Sequence, residues 1–240
     1  MKKTALSLLF AAFALCLAGS VSQAQVISAV ITVRGIVLDE VNRNPASVNL
    51  TFFDDQNKKV NSSRSNAKDG EYLVTGLKPG KKYTVQIEHP DFFKAEYSIK
   101  IPATDKYTEV SRDFLVKPLA KDIRMFLRIS PFEVKKSKIR VGATDMLDEF
   151  RRILVMNPSV NIEIQSFPDT DLDKSVNETL TAARCKTLQD FMVKGGVAAA
   201  RIKVKPSGTT DPVNAPPPPS KKMAKGKRYI GSTYIIVTKV

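Results

Sequence analysis

Val160-Asn161-Ile162-Glu163-Ile164-Gln165-Ser166-Phe167-Pro168-Asp169-Thr170-Asp171, followed by Asn177 and then by Leu180-Thr181-Ala182-Ala183-Arg184-Cys185, is the stretch that decides the fold. Val160, Ile162 and Ile164 alternate with polar residues, the period of a half-buried strand. From Leu180 the spacing turns helical, with Leu188, Phe191 and Met192 continuing the apolar face. An acidic loop lies between the two elements. The strand predicts delivery of Asp169 to a sheet edge, and the helix carries Arg184, so an anion and a cation face one pocket. Such a pocket suits a zwitterion.

The same residues resemble the OmpA-like peptidoglycan-binding domain, whose core reads Gly-His-Thr-Asp, a spacer, Asn, then Leu-Ser-x-x-Arg-Ala. Laid on without gaps, the family Asp falls on Asp169, the Asn on Asn177, Leu-Ser on Leu180-Thr181 and the Arg on Arg184. The resemblance implies peptidoglycan-binding roles for Asp169, Arg184 and Asn177, the Asp and Arg gripping the ammonium and carboxylate of the diaminopimelate side chain in the stem peptide. Three departures accompany it: Gly-His-Thr is Ser166-Phe167-Pro168, the Gly three places after the Asp is Leu172, and the closing Asn-Arg-Arg is Gly231-Ser232-Thr233. Arg228 stands on the family's Arg three places before that motif.

At the start of the chain, Lys2 and Lys3 precede an apolar run from Ala5 to Ala18, and Ser22-Gln23-Ala24 supplies small residues for signal-peptidase cleavage. Residues 1–24 are thus expected to be a signal peptide, with Gln25 opening the mature chain. Cys16 follows Leu15, where a lipobox requires a small residue, so lipidation is not expected. No later stretch approaches the roughly 18 apolar residues of a membrane-spanning helix. These features predict a periplasmic protein associated with the outer membrane or the cell wall. Beyond Cys16, Cys185 is the only cysteine, which excludes an intramolecular disulfide, and it reads as a small buried hydrophobe.

Charge divides the chain unevenly. Residues 25 to 118 carry 14 basic and 12 acidic side chains, whereas 119 to 240 carry 22 and 12. A basic half suggests nucleic acid by reflex, but export and the lack of any recognition-helix or zinc pattern argue against it. Anionic cell-wall material, or no partner at all, is the expectation for this surface.

Between Ile31 and Val116 the sequence predicts six strands: Ile31 to Val37, Ala46 to Phe53, Glu71 to Thr75, Tyr83 to Glu88, Ala95 to Ile101 and Thr108 to Val116, separated by turns such as Lys68-Asp69-Gly70 and Lys78-Pro79-Gly80. Short strands at this spacing predict a small sandwich. The phrases Arg34-Gly35-Ile36-Val37-Leu38-Asp39, Asp69-Gly70-Glu71-Tyr72 and Leu77-Lys78-Pro79-Gly80-Lys81-Lys82-Tyr83 resemble the carboxypeptidase regulatory-like, transthyretin-like domain. That resemblance implies a spacer or binding platform without catalytic residues.

The organisation expected is therefore an all-β sandwich over 25–117, a linker over 118–124 and an α+β OmpA-like domain over 125–240 with helices packed on one mixed sheet. Met125 to Val134 reads as its opening strand, interrupted at Pro131, and Thr144 as the cap of a helix whose Met146, Leu147, Phe150, Ile153 and Leu154 form one stripe. Arg201 to Pro206 and Tyr229 to Lys239 read as further strands, separated by a loop containing Pro216 to Pro219 and Lys221, Lys222, Lys225 and Lys227.

The chemistry left open is narrow. Asp169, Asp171 and Asp173 imitate the start of a calcium loop, but Lys174 and Leu180 occupy the positions that require Gly and Glu. His89, the sole histidine, lies in a turn signal with no metal-ligand spacing around it, and nucleophilic catalysis is discounted because His89 itself would have to serve as base, in a domain type not known for catalysis. Neighbouring loop aspartates are weak evidence for glycoside hydrolysis. The expected protein is non-enzymatic, with no cofactor, no metal and no nucleic-acid partner. It binds peptidoglycan and anchors an envelope assembly that includes outer-membrane or periplasmic proteins. The alternative is a diverged scaffold making protein contacts only. The oligomeric state stays open, a dimer included.

Overall fold

A computed structural model describes residues 30–127, 129–171, 173–217 and 229–240. The expected signal peptide, Leu172, Arg228 and the lysine-rich run from Lys221 to Lys227 lie outside the described residues.

The first half is a β-sandwich. Strands β1 (Ile31–Asp39), β4 (Glu71–Leu77), β7 (Thr108–Ser111) and β8 (Phe114–Val116) form one sheet, in which β1 pairs antiparallel with β4 and parallel with β7 and β8. The other sheet runs β3-β2-β5-β6, with β2 (Asn49–Phe53), β3 (Lys59–Arg64), β5 (Lys82–His89) and β6 (Phe92–Lys100) all antiparallel. Alternate residues of the two sheets, among them Val33, Val37, Leu50, Phe52, Val74, Val85 and Ile87, meet in one buried core.

Two details depart from the sequence reading. β3 was not expected, because Lys59-Val60-Asn61-Ser62-Ser63-Arg64 buries no side chain fully and so carries no apolar alternation. The single strand expected over Thr108 to Val116 is broken at Arg112-Asp113, where Arg112 N–H donates to the Arg34 carbonyl at 2.8 Å. Gly35 permits this approach, since a Cβ there would lie 2.0 Å from the Arg112 carbonyl oxygen.

The second half packs two helices on one mixed sheet. Its order is β11-β10-β12-β9, with β10 (Asn161–Ser166) parallel to β11 (Ile202–Pro206) and antiparallel to β12 (Thr233–Lys239), which pairs with β9 (Arg124–Phe126). Helices α1 (Thr144–Met156) and α2 (Lys174–Lys194) bury Leu147, Ile153, Leu154, Cys185, Leu188 and Met192 against Ile162, Ile164, Ile235 and Val237. Met146 and Phe150 of the expected stripe are half-buried beside that core.

Here too expectations are corrected. The opening strand is Arg124–Phe126 rather than Met125 to Val134: Pro131 has no N–H for a ladder, and Phe132 forms only an isolated bridge with Ile139. Thr144 is the first helical residue and not the cap; Ala143 takes that place without a side-chain bond, buried behind Gly142, whose φ of +87° turns the chain. At α2 the cap is Asp173, whose side chain accepts from Val176 N–H at 3.0 Å, so the helix starts six residues before Leu180. The closing strand begins at Thr233 rather than Tyr229.

The two halves are tied to one another. Phe93, at the start of β6, is 1% exposed and sits in the core of the second half. Asn157, just past α1, accepts from Lys94 N–H and donates to the Lys94 carbonyl, each at 3.0 Å. Lys117 Nζ reaches Glu40 at 2.8 Å and Glu149 at 3.1 Å. Burial alone would favour the neutral amine, but bonds to both carboxylates hold its pKa above the ordinary lysine value.

Candidate functional site: a sealed aspartate–arginine pair

β10 ends at Ser166, and three residues later Asp169 meets Arg184 from the third turn of α2. The two groups join as forks: Arg184 Nη1 lies 2.9 Å from Asp169 Oδ1 and Nη2 lies 3.0 Å from Oδ2. Their side chains are 0% and 4% exposed. Every other ion pair among the described residues includes at least one partner exposed by 30% or more.

Neither group has capacity to spare. Asp169 also accepts from Lys135 N–H at 2.6 Å and Gly231 N–H at 2.8 Å. Arg184 Nε donates to the Lys136 carbonyl at 2.9 Å, Nη2 to the Glu133 carbonyl at 3.1 Å and Nη1 to the Phe167 carbonyl at 3.5 Å. All five guanidinium N–H groups therefore have protein acceptors. The guanidinium carbon also lies 5.3 Å from the centre of the Phe132 ring. Burial would raise the Asp169 pKa, but the bonds from Arg184, Lys135 and Gly231 and the Arg184 charge outweigh it and hold the carboxyl below its ordinary value.

Three segments seal the pair. The loop after Pro131 supplies Phe132, Glu133, Lys135 and Lys136, with Lys135 held at φ +56° so that its N–H points at Asp169. Phe167 and Pro168 lead into Asp169, and Gly231 closes over them. A Cβ on Gly231 would lie 1.9 Å from the Phe167 carbonyl oxygen, so only glycine brings this N–H to the carboxylate. Ser166 and Thr233, cross-strand partners at this end of the sheet, bury hydroxyls that have no hydrogen-bond partner among the described residues.

Asn177 makes no hydrogen bond to Asp169 or Arg184 among the described residues. Its Nδ2 donates to the Thr170 carbonyl at 2.6 Å and the Gly208 carbonyl at 3.1 Å, fastening the acidic loop to the turn after β11. The three loop aspartates are engaged separately: Asp169 by Arg184, Asp171 by the N–H and hydroxyl of Thr210, Asp173 by the α2 cap. Asp211, which the sequence did not single out, is fully buried and accepts from Tyr234 OH and Val213 N–H. Among the described residues that buried charge is met by hydrogen bonds and by no ion pair, and nothing in the sequence around Asp211 signals it.

Residues 131–225 match the OmpA family model, and residues 31–117 match the model described as "BOS complex subunit NOMO1-like, second beta sandwich domain". No curated protein matches the chain. Among solved structures, a putative MotB like protein from Desulfovibrio vulgaris is 18% identical, covering 49% of this chain and 74% of its own, with a TM-score of 0.37. The Bacillus anthracis TIE protein is 16% identical over 37% of this chain, which spans 16% of its length, at a TM-score of 0.31. A hydroxyquinol 1,2-dioxygenase from Pseudomonas putida is 12% identical over 38% of this chain and 57% of its own, at a TM-score of 0.29. Likenesses this low bear on neither fold nor function. The sealed pair therefore lies within an OmpA family domain, carried behind a NOMO1-like β-sandwich domain.

Proposed function

We propose that this chain is a non-enzymatic, periplasmic envelope protein that binds peptidoglycan through Asp169 and Arg184 and anchors an envelope assembly to the wall. The observation that carries this reading is the buried fork-to-fork pair itself, within the residues that match the OmpA family model; the sequence resemblance lays the family's Asp and Arg on the same two residues. A buried pair selects its ligand by charge. A singly charged group inserted between the two would leave one partner bare, at a cost of about 3–5 kcal/mol. A zwitterion exchanges one ion pair for two: its ammonium takes Asp169 and its carboxylate takes Arg184. The diaminopimelate side chain carries both charges on one carbon. Lys135 and Gly231 N–H stay on the carboxylate during the exchange and keep it ionised.

A second reading has its own observation. All five Arg184 N–H groups already have acceptors, which suits a pair that locks the loops of a scaffold for protein contacts. Co-sedimentation of the mature chain with purified diaminopimelate-type peptidoglycan separates the two readings. Pelleting that persists at physiological salt supports wall binding. Absence of pelleting supports the scaffold, and pelleting that vanishes steeply with salt assigns binding to surface lysines instead.

A further inference from the structure

The hydrogen-bonding parity of the second sheet exposes one edge. Ser65 N–H donates to the Val48 carbonyl, so even-numbered residues of β2 face β3 and odd-numbered ones face β5. Thr51 is opposite Gln86 and Val85 opposite Tyr97, which turns the odd-numbered backbone groups of β6 towards β5. The N–H and C=O groups of Lys94, Glu96, Ser98 and Lys100 therefore point off the sheet. The bond from Ile101 N–H to the Lys81 carbonyl agrees with this parity.

This edge is partly covered. Leu119 N–H donates to the Asp91 carbonyl, Phe93 N–H to the Lys117 carbonyl, and the Asn157 amide pairs with both backbone groups of Lys94 as a strand residue would. Beyond Lys94 no backbone partner is present for Glu96 or Ser98 among the described residues. The uncovered stretch opens into a cleft of 530 Å³ between β6 and α1, lined by Tyr97, Arg152, Val155 and Met156. Val155 is 46% exposed there.

We propose that an extended, acidic segment of another protein adds to the Glu96–Lys100 edge of β6 as a further strand, continuing the pairing that residues 117–119 and Asn157 begin. Charge selects the segment. Arg152 on the α1 wall and Lys100 at the far end are exposed and make no ion pair among the described residues. Glu149 is engaged by Lys117, and Glu96, which accepts from the neutral Gln86 amide and keeps its charge, sets one unpaired acid on this stretch against the two unpaired cations. Backbone bonds to the edge supply affinity, and acidic side chains at alternate positions reach Arg152 and Lys100. This inference is independent of peptidoglycan binding.

The test uses the ¹⁵N-labelled mature chain and an end-blocked alternating Val-Glu hexapeptide, with an alternating Val-Lys hexapeptide as comparison. Glu96 and Ser98 amides are expected to exchange slowly once the Val-Glu peptide is added, and the Val-Lys peptide to bind about tenfold more weakly. Ser98→Pro leaves the fold intact, because an outward N–H takes no part in the ladder, and it abolishes the protection. Unchanged exchange at Glu96 and Ser98, or protection that survives Ser98→Pro, overturns the proposal. A concentration-dependent dimer that Ser98→Pro dissociates also overturns it, by making a second copy the occupant.

Discussion

The Asp169 carboxylate and the Arg184 guanidinium meet as two parallel hydrogen bonds of 2.9 and 3.0 Å in a site closed to solvent, and backbone groups from three separate segments complete the coordination of both. The pair therefore holds the loop after Pro131, the loop after β10 and the chain before β12 in one arrangement. Removing either partner strands the other. Arg184→Met or Asp169→Asn is expected to cost about 3–5 kcal/mol in urea unfolding. Unlike many buried pairs, the double variant does not recover that loss. The carboxamide left at position 169 keeps one acceptor oxygen, so either Lys135 N–H or Gly231 N–H, together with the Glu133 and Lys136 carbonyls, loses its partner along with the charges.

Acid weakens the same contact. The folded Asp169 pKa is depressed, so its contribution is fully present above the unfolded carboxyl value of about 3.9 and is lost as pH falls through the folded value. Asp211 acts in the same direction: burial would raise its pKa, but bonds from Tyr234, Val213, Ser232 and Asn214 lower it. The urea midpoint is expected to stay level from neutral pH to about pH 5 and to fall below about pH 4. Asp169→Asn should show a shallower acid limb than the wild type.

Gly231 is a second point of failure. A methyl group there collides with the Phe167 carbonyl, and the chain must move Gly231 N–H away from Asp169 to relieve it. Gly231→Ala is expected to cost about 1–3 kcal/mol. It should also move the acid limb of the stability curve to higher pH, since the carboxylate loses a donor.

Asn157 reports on the tie between the two halves. Asn157→Ala leaves both backbone groups of Lys94 and the Ile153 carbonyl without their side-chain partner, at a cost of about 1–3 kcal/mol. Phe93 remains buried in the second core, so the halves should stay docked while the amide exchange of Lys94 speeds up. Unaltered exchange at Lys94 would show that Asn157 does not hold β6.

The legibility of these features in the sequence follows their chemistry. β10 and α2 were legible because Val160, Ile162 and Ile164 alternate and Leu188 and Met192 recur at helical spacing, and the core records both patterns. β3 was not legible, since an edge strand with no buried side chain has no apolar alternation. Pro131 misled in the other direction: apolar residues continue past it, yet the strand stops at Phe126. Within the site, Asp169 and Arg184 were visible as side chains, whereas Lys135 and Gly231 act through backbone N–H groups that no side chain announces. Asn157 precedes Pro158 just past the end of α1, and its bonds to Lys94, 63 residues away, required the fold to be seen.

The central claim is that the sealed pair exchanges its internal bonds for those of a zwitterion. The most direct measurement adds a free stem tripeptide ending in meso-diaminopimelate to the ¹⁵N-labelled mature chain and follows the Lys135 and Gly231 amides, both donors to Asp169. The same peptide ending in lysine, which keeps the side-chain ammonium without its carboxylate, serves as the control. The account predicts saturable shifts of both amides with the diaminopimelate peptide and none with the lysine peptide. Both amides remaining in place at saturating diaminopimelate peptide would contradict it, and would leave Asp169 and Arg184 as the lock of a scaffold that meets other proteins.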